Sequence, residues 1–275
     1  MSNCTHNCES CKSNCESRTK ENPFLAPMND KSNIKHVIGV VSGKGGVGKS
    51  MVTSMLAASL RKAGKSVAIL DADITGPSIP KAFGLKEKAC ALDENIILPV
   101  ESKDGVKIMS LNLINEDDTD PVIWRGPILA GVVKQFFSEV AWGDVDYMLV
   151  DMPPGTGDVP LTVFQSLPIE GIVVVTSPQK LVSMIVKKAV KMAEMMNVKI
   201  LGLVENFSFL ECPDCGKKIN VFGESTVEEL AKENDIDVFA RIPIEPSVAD
   251  KADDGKIAEI NADWLKQIVE KIEQI

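Results

Sequence analysis

An α/β fold with a doubly wound, mostly parallel sheet and helices on both faces is predicted by three features of this 275-residue chain. From Ile34 onward, short aliphatic runs alternate with longer stretches of helical periodicity, the pattern of βαβ units. Aromatic residues make up only 5% of the chain, so aliphatic side chains must fill the interior, as suits strands buried on both faces. A glycine-rich segment joins the first apolar run to the first helical stretch, where a parallel sheet opens its ligand crevice.

The runs Val37–Val41, Val67–Leu70, Val106–Met109, Tyr147–Val150, Ile172–Thr176 and Ile200–Val204 are read as strands. Lys49–Ala63, Ile128–Val140 and Lys180–Met196 are read as helices between them, with right-handed crossovers. Ser225-Thr226-Val227-Glu228 has capping-box spacing and predicts a helix through Lys232. A last helix is expected from about Asn261 to the end, with Trp264, Leu265, Ile268, Ile272 and Ile275 forming its apolar stripe. Residues 1–33 differ in kind. They are polar and cysteine-rich, and Asn22-Pro23-Phe24-Leu25-Ala26-Pro27 reads as a linker. The division is therefore a cysteine-rich tail and linker over 1–33 and a globular domain over 34–275.

A formal charge of −9 sets an acidic surface against phosphate backbones, so no nucleic-acid partner is expected. The sequence has no run of 18 apolar residues and no secretory signal, so no membrane partner is expected and the cytoplasm is the expected compartment. Clustered cysteines in that compartment stay reduced and point to metal before disulfides.

Gly43-Lys44-Gly45-Gly46-Val47-Gly48-Lys49-Ser50 has the spacing of a phosphate-binding loop, after a strand and before a helix. Glycines let successive N–H groups turn inward on phosphate oxygens, and the following helix N-terminus adds positive potential. Lys49 is placed on the β- and γ-phosphates and Ser50 on Mg²⁺.

Asp71 and Asp73 follow the second strand, at the carboxyl edge where such sheets bind ligands. Asp73 is assigned to orienting the attacking water and Asp71 to the outer shell of Mg²⁺, with the two roles exchangeable. Tyr147-Met148-Leu149-Val150-Asp151 is an apolar strand ending in an aspartate, so Asp151 is assigned to Mg²⁺. The Pro153-Pro154-Gly155-Thr156-Gly157 that follows suits a switch sensing the γ-phosphate.

Six of seven cysteines fall into two clusters. Cys212 and Cys215 form a Cys-x-x-Cys pair in an inserted segment near 207–220, able to hold one edge of a soft metal site. The N-terminal cysteines, a second copy of the chain or an exogenous ligand could complete it. A two-fold axis would bring two pairs together as Cys₄, which suits zinc or an iron–sulfur cluster. A thioredoxin-like redox pair is the competing reading. Cys4, Cys8, Cys11 and Cys15 would share one helix face and are assigned to metal, zinc or a second cluster, with His6 as a further candidate ligand. Cys90 stands alone and is expected to be a buried or inert thiol.

Together the loop Gly43–Ser50, the segment Asp71–Pro80, Trp124-Arg125-Gly126-Pro127, Asp151–Asp158 and Cys212-Pro213-Asp214-Cys215 resemble the Mrp/ApbC family of iron–sulfur cluster carrier ATPases. The resemblance covers roughly residues 34–255 and extends to the MinD/ParA/nitrogenase-iron-protein superfamily with its deviant phosphate loop. It implies that Lys44 acts across a dimer interface on the partner's nucleotide, that Asn206 reads adenine, and that the loop holding Arg241 and Pro243 lies on the other side of the base. It further implies a homodimer with a [4Fe–4S] cluster bridged by Cys212 and Cys215 of both copies. ATP binding or hydrolysis would govern transfer to apo iron–sulfur proteins, with cluster scaffolds as further partners. Relatives with a cysteine-rich N-terminus use wider spacing than this tail. The alternatives are a MinD/ParA-like positioning ATPase and a zinc-stabilised regulatory ATPase without cluster transfer. The mixed polar face of the last helix, with Asp263, Lys266, Glu270, Lys271 and Glu273, argues for packing on the domain over membrane attachment.

Overall fold

The computed structural model describes residues 24–74, 76, 78–93, 96–115, 126–155, 157–178 and 182–275. The N-terminal cysteines, Trp124, Arg125, Thr75, Pro77 and Thr156 lie outside them. In chain order the elements are β1 (Ser32–Ser42), α1 (Lys49–Lys62), β2 (Val67–Asp71), α2 (Ile79–Ala82), β3 (Ala91–Asp93), β4 (Ile96–Ile97), β5 (Val100–Glu101), β6 (Val106–Met109) and α3 (Gly126–Ser138). There follow β7 (Gly143–Asp151), α4 (Asp158–Ser166), β8 (Gly171–Thr176), α5 (Val182–Met195), β9 (Lys199–Glu205), β10 (Leu210–Glu211), β11 (Lys218–Ile219), α6 (Val227–Glu233), β12 (Phe239–Arg241), α7 (Pro246–Asp253) and α8 (Lys266–Ile272).

Eight strands form one sheet in the order β12-β9-β8-β1-β7-β2-β6-β5, parallel throughout except for β5, which pairs antiparallel with β6. The strand pleat splits the core in two. Val37, Val41, Ala68, Leu70, Met148 and Val150 join the cluster under α3, α4, α5 and α6. Ile38, Val40, Val67, Ile69, Tyr147 and Leu149 join the cluster under α1, α2, α7 and α8. Strands buried on both faces read as continuous aliphatic runs, and that is the pattern in the sequence. The winding runs from β1 out to β6 and then returns to the other side of β1. The reversal leaves the carboxyl ends of β1, β7 and β2 side by side.

Several local expectations are corrected. The capping box does not form. Thr226 makes no side-chain cap, and Ser225 Oγ only accepts the Val227 N–H at 3.4 Å, because the helix starts one residue later than the spacing requires. The C-terminal segment begins as a 3₁₀ turn at Asp263–Leu265, where Asn261 donates to Asp263 at 2.7 Å, and is α-helical only over α8. Leu265, Ile268, Val269 and Ile272 are buried, whereas Ile275 lies exposed past the helix end. The helix thus packs on the domain. The short strands β3, β4, β5, β10, β11 and β12 are too brief to show periodicity in sequence. The described part of the linker is laid on the domain: Ala26 N–H donates to Ser166 O at 2.7 Å, and Asn29 Nδ2 donates to Ser138 O and Val140 O.

Trp142 is fully buried immediately before β7, and its indole N–H donates to Phe136 O at 3.1 Å. Trp142→Ala is expected to cost about 3–5 kcal/mol of unfolding free energy through the cavity it leaves. Denaturant titration followed by circular dichroism measures it, and a loss under 1 kcal/mol would be incompatible with this packing.

Candidate nucleotide site and thiol hairpin

β1 delivers the chain to Gly43 and α1 takes it away at Lys49. The loop between them turns through Gly46 and Gly48, both at φ +78°. A Cβ at Gly48 would run into the Asn206 amide nitrogen, so this position accepts only glycine. Over Gly45 and Gly46 a Cβ would meet nothing within 4 Å, so the outer side of the loop is open. The N-cap of α1 is Gly48, without a side-chain cap and without an acidic residue in the first turn. Its first N–H groups are therefore available to an anion.

Beneath the loop, Asp151 is fully buried at the end of β7. Its carboxylate accepts Ser50 Oγ–H at 2.6 Å and Thr53 Oγ1–H at 2.6 Å, and Lys49 Nζ lies 2.8 Å away as an ion pair. Asp73 sits 3.6 Å from the same ammonium. Asp71, in register with Asp151 on the neighbouring strand, is 1% exposed and accepts the Ser110 hydroxyl at 3.0 Å. Burial, and then repulsion from Asp151, push the Asp71 carboxyl well above its usual value. The structure thus brings Lys49, Ser50, Asp71, Asp73 and Asp151 to one place. Thr53 and Ser110 complete the set and were not singled out from sequence. Thr53 had a signal, since three residues after Ser50 places it on the same helix face; Ser110 had none.

The donors fit a nucleotide phosphate with a divalent cation. Among the described residues two buried side-chain polar atoms lack a hydrogen bond, Lys49 Nζ and Ser177 Oγ. Both stand at this carboxyl edge, Ser177 one residue beyond Thr176, whose carbonyl accepts the Asn206 N–H. One ammonium faces three carboxylates, a deficit that a cation would offset. No group of three or more His, Cys, Asp or Glu with metal-holding geometry occurs among the described residues. Ser50 and Asp151 could supply only part of a divalent cation's shell, which fits an ion that would take its other ligands from phosphate and water.

Asn206 follows β9 and is fully buried; its Nδ2 donates to Val47 O at 2.9 Å. Arg241 donates through Nε to Ser208 Oγ at 2.8 Å, and its guanidinium lies 5.5 Å from the Phe209 ring centre. Pro243 lies between Ile242 and Ile244, which pair with backbone groups of residues 205–209. Lys44 accepts the Ser42 hydroxyl on its carbonyl at 3.0 Å.

The Cys-x-x-Cys pair sits on a hairpin of β10 and β11, with Leu210 opposite Ile219 and Glu211 opposite Lys218. Gly216, at φ +69°, turns the chain, and its N–H donates to Cys212 O at 2.9 Å. Hydrogen bonds from the Asp214 N–H, the Cys215 N–H and the Cys215 thiol hold the Cys212 thiol below its ordinary value. Cys215 is exposed and Cys212 half-buried. Ile219, Val221 and Phe222 beside them are exposed as well. Cys90 is also exposed, with a weak contact to Lys88 O at 3.7 Å, so the expectation of a buried thiol is corrected. It lies on the loop before β3, outside either core cluster.

The fold, the glycine loop and the buried Lys49–Asp151 pair define a P-loop nucleotide hydrolase. The chain belongs to the ParA family described as NUBPL iron-transfer P-loop NTPase, matched over residues 33–275. It is 46% identical over 270 residues to the iron–sulfur cluster carrier protein of Clostridium perfringens, covering 93% of this chain and 95% of that one. With the protein of the same name from Methanocaldococcus jannaschii it shares 43% identity, covering 99% of each. A nucleotide-binding protein from Archaeoglobus fulgidus, solved in complex with ADP, is 43% identical with a TM-score of 0.77, over 86% of this chain and 92% of that one. The Pyrococcus furiosus cell division ATPase MinD, at 21% identity and TM-score 0.61, shares the fold over 87% of this chain and 98% of its own.

An acid whose folded pKa exceeds its unfolded one destabilises the fold only once pH rises above the unfolded value, and increasingly up to the folded one. Asp71→Asn keeps an oxygen for the Ser110 hydroxyl. In the nucleotide-free chain it is expected to melt a few degrees above the parent at about pH 8, with the gap closing near pH 4. Thermal melts across pH test this; a variant that melts lower at both ends refutes the buried-acid account.

Proposed function

We propose that this chain is an ATP-dependent iron–sulfur cluster carrier. It takes a [4Fe–4S] cluster as cargo on Cys212 and Cys215 of two copies and delivers it to apo-proteins, with ATP binding or hydrolysis gating loading or release. The observation that carries this reading is a phosphate loop backed by Lys49, Ser50 and the buried Asp151, joined through the end of β9 to an exposed thiol pair that supplies two ligands from one chain. The relatives named for cluster carriage support it over nearly the whole chain. A single pair cannot close four-coordination around iron, and a two-fold axis supplies the second pair, which supports a homodimer. The cytoplasm, where thiols stay reduced, is the compartment in which such a pair would work. The division into a cysteine-rich tail over 1–33 and an ATPase domain over 34–275 belongs to the same reading. Cys4, Cys8, Cys11 and Cys15 would hold zinc or a second cluster.

In the hydrolytic step the N–H groups of Gly45–Ser50 cradle the phosphates, and Lys49 turns from Asp151 to the β- and γ-oxygens. Ser50 and Asp151 would hold Mg²⁺, which neutralises charge on the phosphates, with Asp71 behind it. Asp73 orients the attacking water; water oxygen bonds to the γ-phosphorus as the bridge to the β-phosphate breaks, leaving ADP and phosphate. Lys44 supplies a cation to the partner's nucleotide. Asn206, Arg241 and Pro243 surround the base. Cluster transfer itself is ligand exchange between thiolates and needs no net redox step.

Reconstitution with iron and sulfide without oxygen, followed by incubation with an apo-enzyme, tests cargo and ligands together. The parent is expected to activate the acceptor, and the double variant Cys212→Ala, Cys215→Ala to lose at least about tenfold of that activation. Undiminished activation by the double variant removes the pair from the assignment. Lys44→Ala is expected to lower ATP turnover by about 10³-fold, as for a cation supplied in trans, while the dissociation constant for ATP shifts less than about threefold. Parallel loss of binding and turnover would place Lys44 within its own subunit's site.

A further inference from the structure

We propose that Phe207 is a positioning residue that conveys the state of the phosphate loop to the thiol hairpin. The inference rests on the nucleotide reading of residues 43–50 and goes beyond it by naming the mechanical link. β9 ends at Glu205, and only six residues separate it from Cys212. The first two of them, Asn206 and Phe207, press on the loop. The Asn206 amide donates to Val47 O at 2.9 Å, and the Phe207 ring lies 3.4 Å from where a Gly48 Cβ would stand. The Asn206 amide leaves no room for a Cβ on Gly48, and the Phe207 ring stands just beyond that space. A shift of Val47 and Gly48 as the loop closes on phosphate would reach Asn206 through its hydrogen bond to Val47 O, and Phe207 through the N–H that the Asn206 side chain accepts.

Phe207 holds φ +58°, a left-handed conformation unfavourable for a bulky side chain. The surroundings hold it there: the Asn206 side chain accepts the Phe207 N–H at 3.0 Å, and the next residue is tied down by Ser208 N–H to Ile242 O at 2.8 Å. Beyond it, Phe209 O accepts the Ile244 N–H at 2.6 Å, and the Phe209 ring carries Lys218 Nζ at 4.5 Å from its centre. Lys218 is on β11, so this cation–π contact joins the relay to the far strand of the thiol hairpin. The path runs from Gly48 through Phe207 and Phe209 to both strands of the hairpin, with each residue between held by a named contact.

Hydrogen exchange of the full chain, prepared without air and compared with and without Mg–ATP, tests this. In the parent, ATP is expected to slow exchange in the phosphate loop and to change exchange over residues 210–219 by about threefold or more. Phe207→Asn removes the ring with a residue that tolerates the left-handed backbone. Its phosphate loop is expected to stay responsive while the response at 210–219 disappears. Phe209→Leu, which leaves the loop contact intact and removes the Lys218 contact, is expected to do the same and serves if the first variant fails to fold. Loop protection in the parent with no change at 210–219 overturns the proposal, as does a hairpin response that survives in either folded variant. A parent whose loop shows no protection overturns the nucleotide reading and takes this inference with it. Cluster binding does not enter the readout, so failure of cluster carriage would show only in the acceptor assay.

Discussion

The buried Asp151 carboxylate ties the phosphate loop to the sheet. It gathers Ser50, Thr53 and Lys49 from the first turns of α1, and it ends β7 at the centre of the sheet. An ionised group this deep is tolerated only when it is hydrogen-bonded and paired, and here two hydroxyls donate to it and an ammonium at 2.8 Å balances its charge. The same bonds fix how α1 meets the sheet, and so where the amides of residues 45–50 point. Under the proposed function this creates an interdependence. Lys49 can leave Asp151 for a phosphate only when another cation takes its place, because Asp71 and Asp73 already crowd the carboxylate. Nucleotide and divalent cation are therefore expected to bind together, each removing what opposes the other.

The thiol hairpin obeys opposite physics. Almost every side chain from Glu211 to Ile219 is exposed, and the hairpin has two residue pairs and a glycine turn. A two-stranded ribbon this short has little stability of its own. Its attachment comes from Phe209, held by Ile244 behind and Lys218 above, and by Arg241 at the ring. The backbone amides that favour the Cys212 thiolate belong to the turn itself. Under the proposed function, metal affinity would be local to the turn, whereas its placement depends on the strand ends beneath.

Much of this could be read from residues alone. The glycine loop, the aspartates after β2 and β7 and the cysteine pair each have a spacing imposed by chemistry, and all of them sit on the carboxyl side of the sheet. The six long strands were legible because burial on both faces demands unbroken aliphatic runs. What escaped the sequence depends on contacts far apart in the chain. Ser110 meets Asp71, and Phe209 meets Arg241, through sheet order and not through periodicity. The failed capping box at Ser225 and the 3₁₀ start before α8 show the same limit at short range. A capping pattern names candidate partners, but the position of the first helical turn decides whether they meet.

Under the proposed function, half a ligand set suits carriage. Four thiolates from one chain would close around a metal and hold it as a structural site, with no position open to an incoming ligand. Two thiolates on an exposed turn leave the other half to a neighbour, and the neighbour can be exchanged. A second copy of the chain would complete the set during transport, and an acceptor's thiolates could replace it step by step. Under that scheme the nucleotide need not touch the cargo. It needs only to alter how two hairpins face each other, and the closeness of Gly48 to the root of each hairpin places that lever within the same subunit.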